Sequence, residues 1–276
     1  MSNTQVNVAF RVEKAGSVAE VVLIGPSKGN TMGPDFWREC AGVFDGLHRD
    51  DSVRAVLVRA EGAHFTYGLD LPAMMGDLGP LISGDGMAAT RTRLYEKILE
   101  LQKSFNAIAN CKKPVIAAVH GWCIGGGIDM ITACDIRVCS KDAKFSVREV
   151  RVAMVADLGT LQRLPLIVGE GHARELAFTG RDFSADHAAR IGLVNEVYES
   201  PEALLTGARA LAQSIADNPP LVVSGIKAIM DEATSERVQR GLRQVAAWNS
   251  AFLPSGDLGE AMASFLERRP PKFSGK

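Results

Sequence analysis

The sequence predicts an α/β fold with a helical C-terminal quarter. Three observations carry that expectation. Val18 to Ile24, a helix-period segment from Pro34 to Leu47, and Val53 to Val58 follow one another, the strand–helix–strand order of a parallel sheet. Pro114 to Val119 is an apolar, partly β-branched run behind a proline that stops at His120-Gly121, the signature of a buried strand. From Pro201 the composition turns helical almost to the end.

Taken in order, Val6 to Val12 and Val18 to Ile24 read as a strand pair around Gly16, and residues 25–30, GPSKGN, as a turn. Pro34-Asp35 opens a helix with Phe36, Cys40, Val43, Phe44 and Leu47 at three- and four-residue steps. Residues 64–71, HFTYGLDL, follow the Val53 to Val58 strand, where α/β sheets usually hold ligands. Residues 72–89 are rich in Gly, Met and Pro without periodicity and read as a mobile flap; the Gly84-Asp85-Gly86 glycines follow no strand, so they are no dinucleotide fingerprint. A long helix is expected from Thr90 to Ile108, and a short one from Ile128 to Ala133. Further helices are expected over 159–168, 172–179 and 185–190, the last capped by Ser184 and stopped by Gly192, with a strand from Leu193 to Val197. The C-terminal helices are read as 201–217, 219–232, 235–252 and 257–268, before a basic tail.

Composition narrows the function. The 276 residues suit one large domain or a domain with an appendage. A formal net charge of −1 argues against a nucleic-acid surface. No apolar run reaches the ~20 residues of a membrane span, and the first residues lack the basic start and apolar core of a signal peptide. Five cysteines without a C-x-x-C pair read as reduced packing residues of a cytoplasmic protein. The histidines have no metal-ligand spacing, and no nucleophile elbow or phosphate loop occurs.

The chemistry-bearing stretch runs from His120 to Asp157. Strand, glycine turn and helix in that order aim free N–H groups and a positive helix end into one pocket. Gly125 to Gly127 could therefore form an oxyanion hole, with the Gly68–Leu69 turn giving the second amide; the same glycines could merely allow close backbone packing. Three acids follow the turn: Asp129, Glu149 and Asp157. Singly, each has a plain structural reading: a first-turn acid, a surface ion-pair member beside Arg148 and Arg151, and a helix cap. Together in an apolar pocket, they would push their pKa values apart and leave one neutral donor and one base.

With these motifs in view, the chain from about residue 6 to its end resembles the enoyl-CoA hydratase/isomerase (crotonase) superfamily. The resemblance rests on Phe65-Thr66-Tyr67-Gly68-Leu69-Asp70, on KKPVIAAVHGWCIGGGIDMITACDIRVCS, and on ADLGTLQRLPLIVG with the following ARELAFTGRDFSADHAARIGLVNEV. Within the superfamily it is most similar to the isomerases that turn 3,5-dienoyl-CoA into 2,4-dienoyl-CoA, whose three acids match Asp129, Glu149 and Asp157. A hydratase of the superfamily has Glu at the first two of these positions and Gly at the third. Tyr67 and Trp122 depart from the pattern, standing where small residues are usual.

The resemblance implies a spiral of ββα turns over residues 1–200 holding the site, and a C-terminal helical region, 201–276, that assembles homotrimers or homohexamers. It implies oxyanion amides at Leu69 and Gly126, and an acyl-CoA substrate held around Lys28, Gly68, Leu69, Asp70, Leu71 and Gly127. One of Asp157 and Glu149 would take a proton from carbon 2 and the other would give one to carbon 6; Asp157 at carbon 2 and Glu149 at carbon 6 is the preferred order. Asp129 would raise their proton affinity. No metal or redox cofactor is implied. The rival expectations are an enoyl-CoA hydratase or simpler enoyl-CoA isomerase, and a catalytically silent acyl-CoA-binding scaffold.

Overall fold

Strands from separate parts of the chain line up in one sheet, and the chain leaves two of them directly into a second, smaller sheet. A computed structural model of the protein describes residues 7–25, 29–83 and 87–276. Strands β1 (Phe10–Ala15), β2 (Val18–Leu23), β3 (Ala55–Ala60), β4 (Val115–Val119), β6 (Ile136–Ser140) and β9 (Glu196–Tyr198) form the main sheet, in the order β1-β2-β3-β4-β6-β9. Within this sheet the β1–β2 hairpin is antiparallel and the other pairs are parallel. The second sheet is β5 (Trp122–Ile124), β7 (Lys144–Ser146) and β8 (Phe183–Ser184). Strands β4 and β5 are separated only by His120 and Gly121, yet lie in different sheets. Parallel bridges Met32–Leu69 and Thr66–Cys123 continue the same stacking into the loops after β2 and β3. This is the ββα spiral.

Helices cover both faces of the main sheet. Side chains alternate along a strand, so Val56 and Val58 of β3 face one core and Ala55 and Leu57 the other. Phe10, Phe36, Phe44 and Phe105 fill the first, beneath helices α1 (Pro34–Arg49) and α3 (Ala88–Ala109). The second is closed by α8 (Pro201–Ala216), whose Leu204, Ala208, Ala212 and Ala216 form a narrow apolar stripe. Helices α4 (Gly126–Thr132), α5 (Thr160–Val168), α6 (Glu170–Thr179) and α7 (Ala185–Arg190) complete the core. Helices α9 (Pro220–Phe252) and α10 (Gly256–Glu267) meet α3 in a separate cluster around Leu94, Ile98, Ala246, Leu253 and Leu258.

Several expectations are corrected. The first strand begins at Phe10 rather than Val6, because Glu39 holds the Val8 and Ala9 amides at 2.9–3.0 Å; Val6 itself lies outside the described residues. Most of the expected flap is helix α2 (Leu71–Ile82), which Asp70 caps by accepting the Ala73 amide at 3.1 Å. Only Met74 of α2 is buried, so its sequence carries no amphipathic stripe. The expected helices 219–232 and 235–252 are one helix of 33 residues. Thr234 resembles a new cap but its hydroxyl bonds back to the Asp231 carbonyl at 3.4 Å, as threonines inside helices do. Strand β9 lies at the end of, and beyond, the predicted 193–197 segment.

One long-range tie joins α9 to the sheet. Lys227 Nζ donates to Asp135 Oδ2 at 2.7 Å, and the same oxygen accepts the Val115 amide at 2.7 Å. The lysine is buried, so removing its charge leaves Asp135 partly uncompensated. Lys227→Met is expected to lower unfolding free energy by about 1–3 kcal/mol, read from urea titration; an unchanged midpoint and slope would show the pair to be idle.

Candidate active site

Two backbone amides converge where the spiral brings the loop after β3 against the turn after β5. Gly68, with φ 77°, ends the loop, and Gly125, with φ 55°, ends β5. Both occupy the left-handed region that glycine enters without strain. The approach is too close for side chains. A Cβ on Gly68 would lie 2.6 Å from the Ile124 carbonyl oxygen and 3.0 Å from the Gly126 nitrogen, and one on Gly126 would lie 2.9 Å from Met32 Sδ and 3.9 Å from the Leu69 nitrogen. The Thr66 hydroxyl locks the loop, donating to the Asn30 carbonyl at 2.7 Å and accepting the Gly68 amide at 3.0 Å. The Leu69 and Gly126 amides therefore stand side by side, and neither donates a hydrogen bond among the described residues. Gly126 opens α4, so its N–H also carries the positive end of that helix.

Three carboxyls gather beside this cradle. Asp129, 1% exposed, comes from the first turn of α4. Its Oδ1 accepts the Thr160 amide at 2.6 Å, the first N–H of α5. Glu149 begins a short 3-10 turn, Glu149–Val152, and its Oε1 lies 3.7 Å from where a Cβ on Gly125 would stand. Glu149 Oε2 is sealed from solvent without a hydrogen-bond partner. Asp157 lies just before α5, and its Oδ2 accepts the Asn249 side-chain amide at 2.7 Å. Sequence reasoning singled out these three acids and the two amides, and the fold brings all five together.

The electrostatics separate the acids. Burial raises the proton affinity of Asp129, opposed by the Thr160 hydrogen bonding and the Arg163 charge. Burial raises Glu149 well above the usual carboxylate range, and the charges of Asp129 and Asp157 add to it. Asp157 is pushed up to about 7 by burial, with Asn249 pulling it back and Asp129 pushing it further. All three acids are raised by burial, Asp129 and Glu149 also share a side-chain hydrogen bond that lowers the first and raises the second, and the remaining donors differ from acid to acid. Asp129 has a helix N-terminus and an arginine, Asp157 has one amide, and Glu149 Oε2 has nothing. Burial and neighbouring charge thus favour the protonated form of Glu149, and Asp157, pushed up to about 7, is poised between its two forms near neutral pH.

The other expected binding residues are spread more widely. Lys28 lies outside the described residues. Asp70 caps α2 with Oδ1 and accepts the Thr31 hydroxyl at 2.8 Å with Oδ2, and Leu71 is the first residue of α2. Gly127 faces Thr66: a Cβ there would lie 2.6 Å from Thr66 Cγ2. Tyr67 stacks edge-on with His64, ring centroids 4.9 Å apart, while the Trp122 ring lies under the Lys144 and Arg148 cations.

Sequence reasoning missed Asn249, Gln102 and Arg163. Gln102 Nε2 donates to the Asp157 carbonyl at 2.7 Å and to the Leu242 carbonyl at 3.0 Å, tying α3, α9 and the acid together. Arg163 is buried against Asn106 Oδ1 at 2.7 Å, on the side of Asp129. The only signal in the sequence was their polarity inside apolar helical stripes: Gln102 between Leu101 and Phe105, and Asn249 beyond Val245 and Ala246.

Fold and site together define an enzyme of acyl-thioester chemistry. The chain belongs to the enoyl-CoA hydratase/isomerase family, whose profile matches residues 13–276. It is 48% identical over 269 residues to the mitochondrial Delta(3,5)-Delta(2,4)-dienoyl-CoA isomerase of Dictyostelium discoideum, covering 96% of this chain and 90% of that protein. It is 43% identical over 265 residues to the peroxisomal Delta(3,5)-Delta(2,4)-dienoyl-CoA isomerase of Arabidopsis thaliana, covering 96% and 95%. Among solved structures, an enoyl-CoA hydratase/isomerase from Pseudoalteromonas atlantica T6c superposes with a TM-score of 0.83 at 27% identity, covering 96% of this chain and 100% of that one.

The close approach of the two turns yields a sharp expectation. Gly68→Ala needs a strained φ and drives its Cβ into the Ile124 carbonyl. The turns must then part, and turnover should fall about 100-fold or more, the scale of a lost oxyanion donor. Steady-state kinetics on a variant that folds, as judged by circular dichroism, checks this; a folded variant of undiminished rate would remove the two amides from the chemistry.

Proposed function

We propose that the protein is a dienoyl-CoA isomerase that shifts the two double bonds of a 3,5-dienoyl-CoA to the 2,4 positions, as a step in the β-oxidation of unsaturated acyl chains. The observation that carries this reading is the third acid. Asp157 stands beside Glu149 in the same pocket, so two carboxyls can serve two carbons of one conjugated chain. The relatives named dienoyl-CoA isomerases support the same activity.

In the reaction the thioester oxygen sits between the Leu69 and Gly126 amides. Asp157, ionised, takes a proton from carbon 2. The electron pair moves into the carbonyl and along the chain, giving an extended enolate whose negative oxygen the two N–H groups stabilise more than they stabilise the neutral carbonyl. Glu149, protonated, gives its proton to carbon 6, and the electrons return to leave double bonds at carbons 2 and 4. Proton exchange then resets both acids. Asp129 stays out of the transfer; in its ionised form its charge raises the proton affinity of both other acids. No electrons pass between molecules, so the chemistry requires no redox cofactor, and in this proposal the two amides take the enolate charge; coenzyme A arrives with the substrate. We assign its binding to Lys28, to the Gly68–Leu71 segment and to Gly127.

We further propose assembly into homotrimers, or hexamers of paired trimers, through the C-terminal helices. Val222, Ile226 and Ile229 of α9, at i, i+4 and i+7, are 57%, 55% and 77% exposed, an apolar face that favours a protein partner. Among the described residues no helix is long and apolar enough to cross a membrane. Five free, buried cysteines support a reducing compartment such as the cytoplasm, although the relatives are named mitochondrial and peroxisomal.

Two experiments test these proposals. Asp157→Asn and Glu149→Gln should each lower dienoyl-CoA isomerisation by roughly 100-fold or more. The wild-type kcat/KM should form a bell: activity rises as Asp157 ionises near pH 7 and falls at higher pH as Glu149 loses its proton. Full activity of Asp157→Asn, or a wild type that hydrates 2-enoyl-CoA and ignores the diene, would overturn the isomerase reading. Light scattering at micromolar concentration should give a trimer or a multiple of it; a monomer would overturn the assembly.

A further inference from the structure

We propose that Asn249 of α9 is a positioning residue for the isomerisation, fixing Asp157 as the proton acceptor at carbon 2 and thereby setting the direction in which the two acids work. The inference rests on the isomerase reading and deepens it. Asn249 is 1% exposed, and its single amide nitrogen donates twice, to the Val155 carbonyl at 2.8 Å and to Asp157 Oδ2 at 2.7 Å. The first bond anchors the amide to the backbone two residues before the acid, so the second has a fixed direction. An N–H aimed at a carboxyl oxygen favours the ionised form. Glu149 Oε2, the corresponding buried oxygen across the site, has no such donor. One acid is thus equipped to hold negative charge and the other to hold a proton.

The groups facing Asp157 leave this task to Asn249. Helix α4 presents Asp129, whose charge opposes ionisation of Asp157, and the 3-10 turn presents Glu149, whose own proton affinity the Asp157 charge raises. Arg163 of α5 lies on the side of Asp129. Helix α3 presents the neutral amide of Gln102, whose bond goes to the Asp157 backbone carbonyl. Asn249 is therefore the donor to the Asp157 carboxylate that comes from outside its own loop.

Gln102 supplies the control, because it holds the same segment without touching the carboxylate. In Asn249→Leu the ascending limb of kcat/KM should move up by about one pH unit, the scale of one hydrogen bond to a charged group. The rate at pH 6.5 should fall about 10-fold, while the rate above the new limb recovers. Gln102→Leu should lower the melting temperature and leave the limb in place. Where Asn249→Leu does not fold, Asn249→Met, unbranched and equally without a donor, replaces it. The Asp157 carboxyl carbon, titrated by NMR in wild type and variant, reports the same shift without turnover, so a failed isomerase reading does not mask the result. An Asp157 that titrates at the same pH with and without Asn249, or a limb that Gln102→Leu moves equally, would overturn the proposal.

Discussion

Three carboxyls crowded into one pocket, Asp129 buried and Glu149 and Asp157 half-buried, are the constraint on which the rest of the site depends. An isolated buried carboxylate is costly, and three together would repel one another. The protein resolves this unequally. Asp129 receives the first N–H of α5 and the nearby charge of Arg163, Asp157 receives the Asn249 amide, and Glu149 keeps an oxygen with no partner. The three proton affinities are raised by different sets of neighbours, and the proposed mechanism uses that difference to let one acid take a proton while another gives one. An evenly solvated trio would titrate together and do neither.

The spiral is what makes such a pocket possible. The chain after β4 and β6 passes straight into the smaller sheet, and the loop after β3 meets β5 edge to edge through the Thr66–Cys123 bridge. The amides of Leu69 and Gly126 then point free beside the acids at a separation that backbone geometry fixes. Glycine is required where the turns touch, since a Cβ on Gly68 or Gly126 would overlap Ile124 or Met32. The carboxyls arrive from three other segments, α4, the 3-10 turn and the approach to α5. The rigid sheet supplies position, and the short elements supply the chemistry.

Much of this was legible in the sequence because its signals are local. A proline-led apolar run followed by three glycines and a short helix announces a strand, a turn and a helix N-terminus within a dozen residues. The three acids stand out because none belongs to a charge run. Helix α2 was not legible, since only Met74 is buried and the helix rests on an Asp70 cap rather than an apolar stripe. Nor was the continuity of α9 through Thr234, whose hydroxyl bonds inside the helix instead of ending one. Asn249 is the most consequential omission. It reaches Asp157 across 92 residues of sequence, and nothing near either residue indicates the pairing. Long-range donors of this kind are set by how α9 crosses the site, a property of packing rather than of any segment.

The central claim is that two different acids handle two different protons. It is tested most directly by running the wild-type isomerisation in D2O and locating deuterium in the 2,4-dienoyl-CoA product by NMR. With Glu149 exchanging its proton with solvent before it meets carbon 6, the product should carry deuterium at carbon 6 from the first turnover. A product whose carbon 6 holds the hydrogen removed from carbon 2, with no solvent label, would mean that a single acid carries the proton along the chain and would contradict the account.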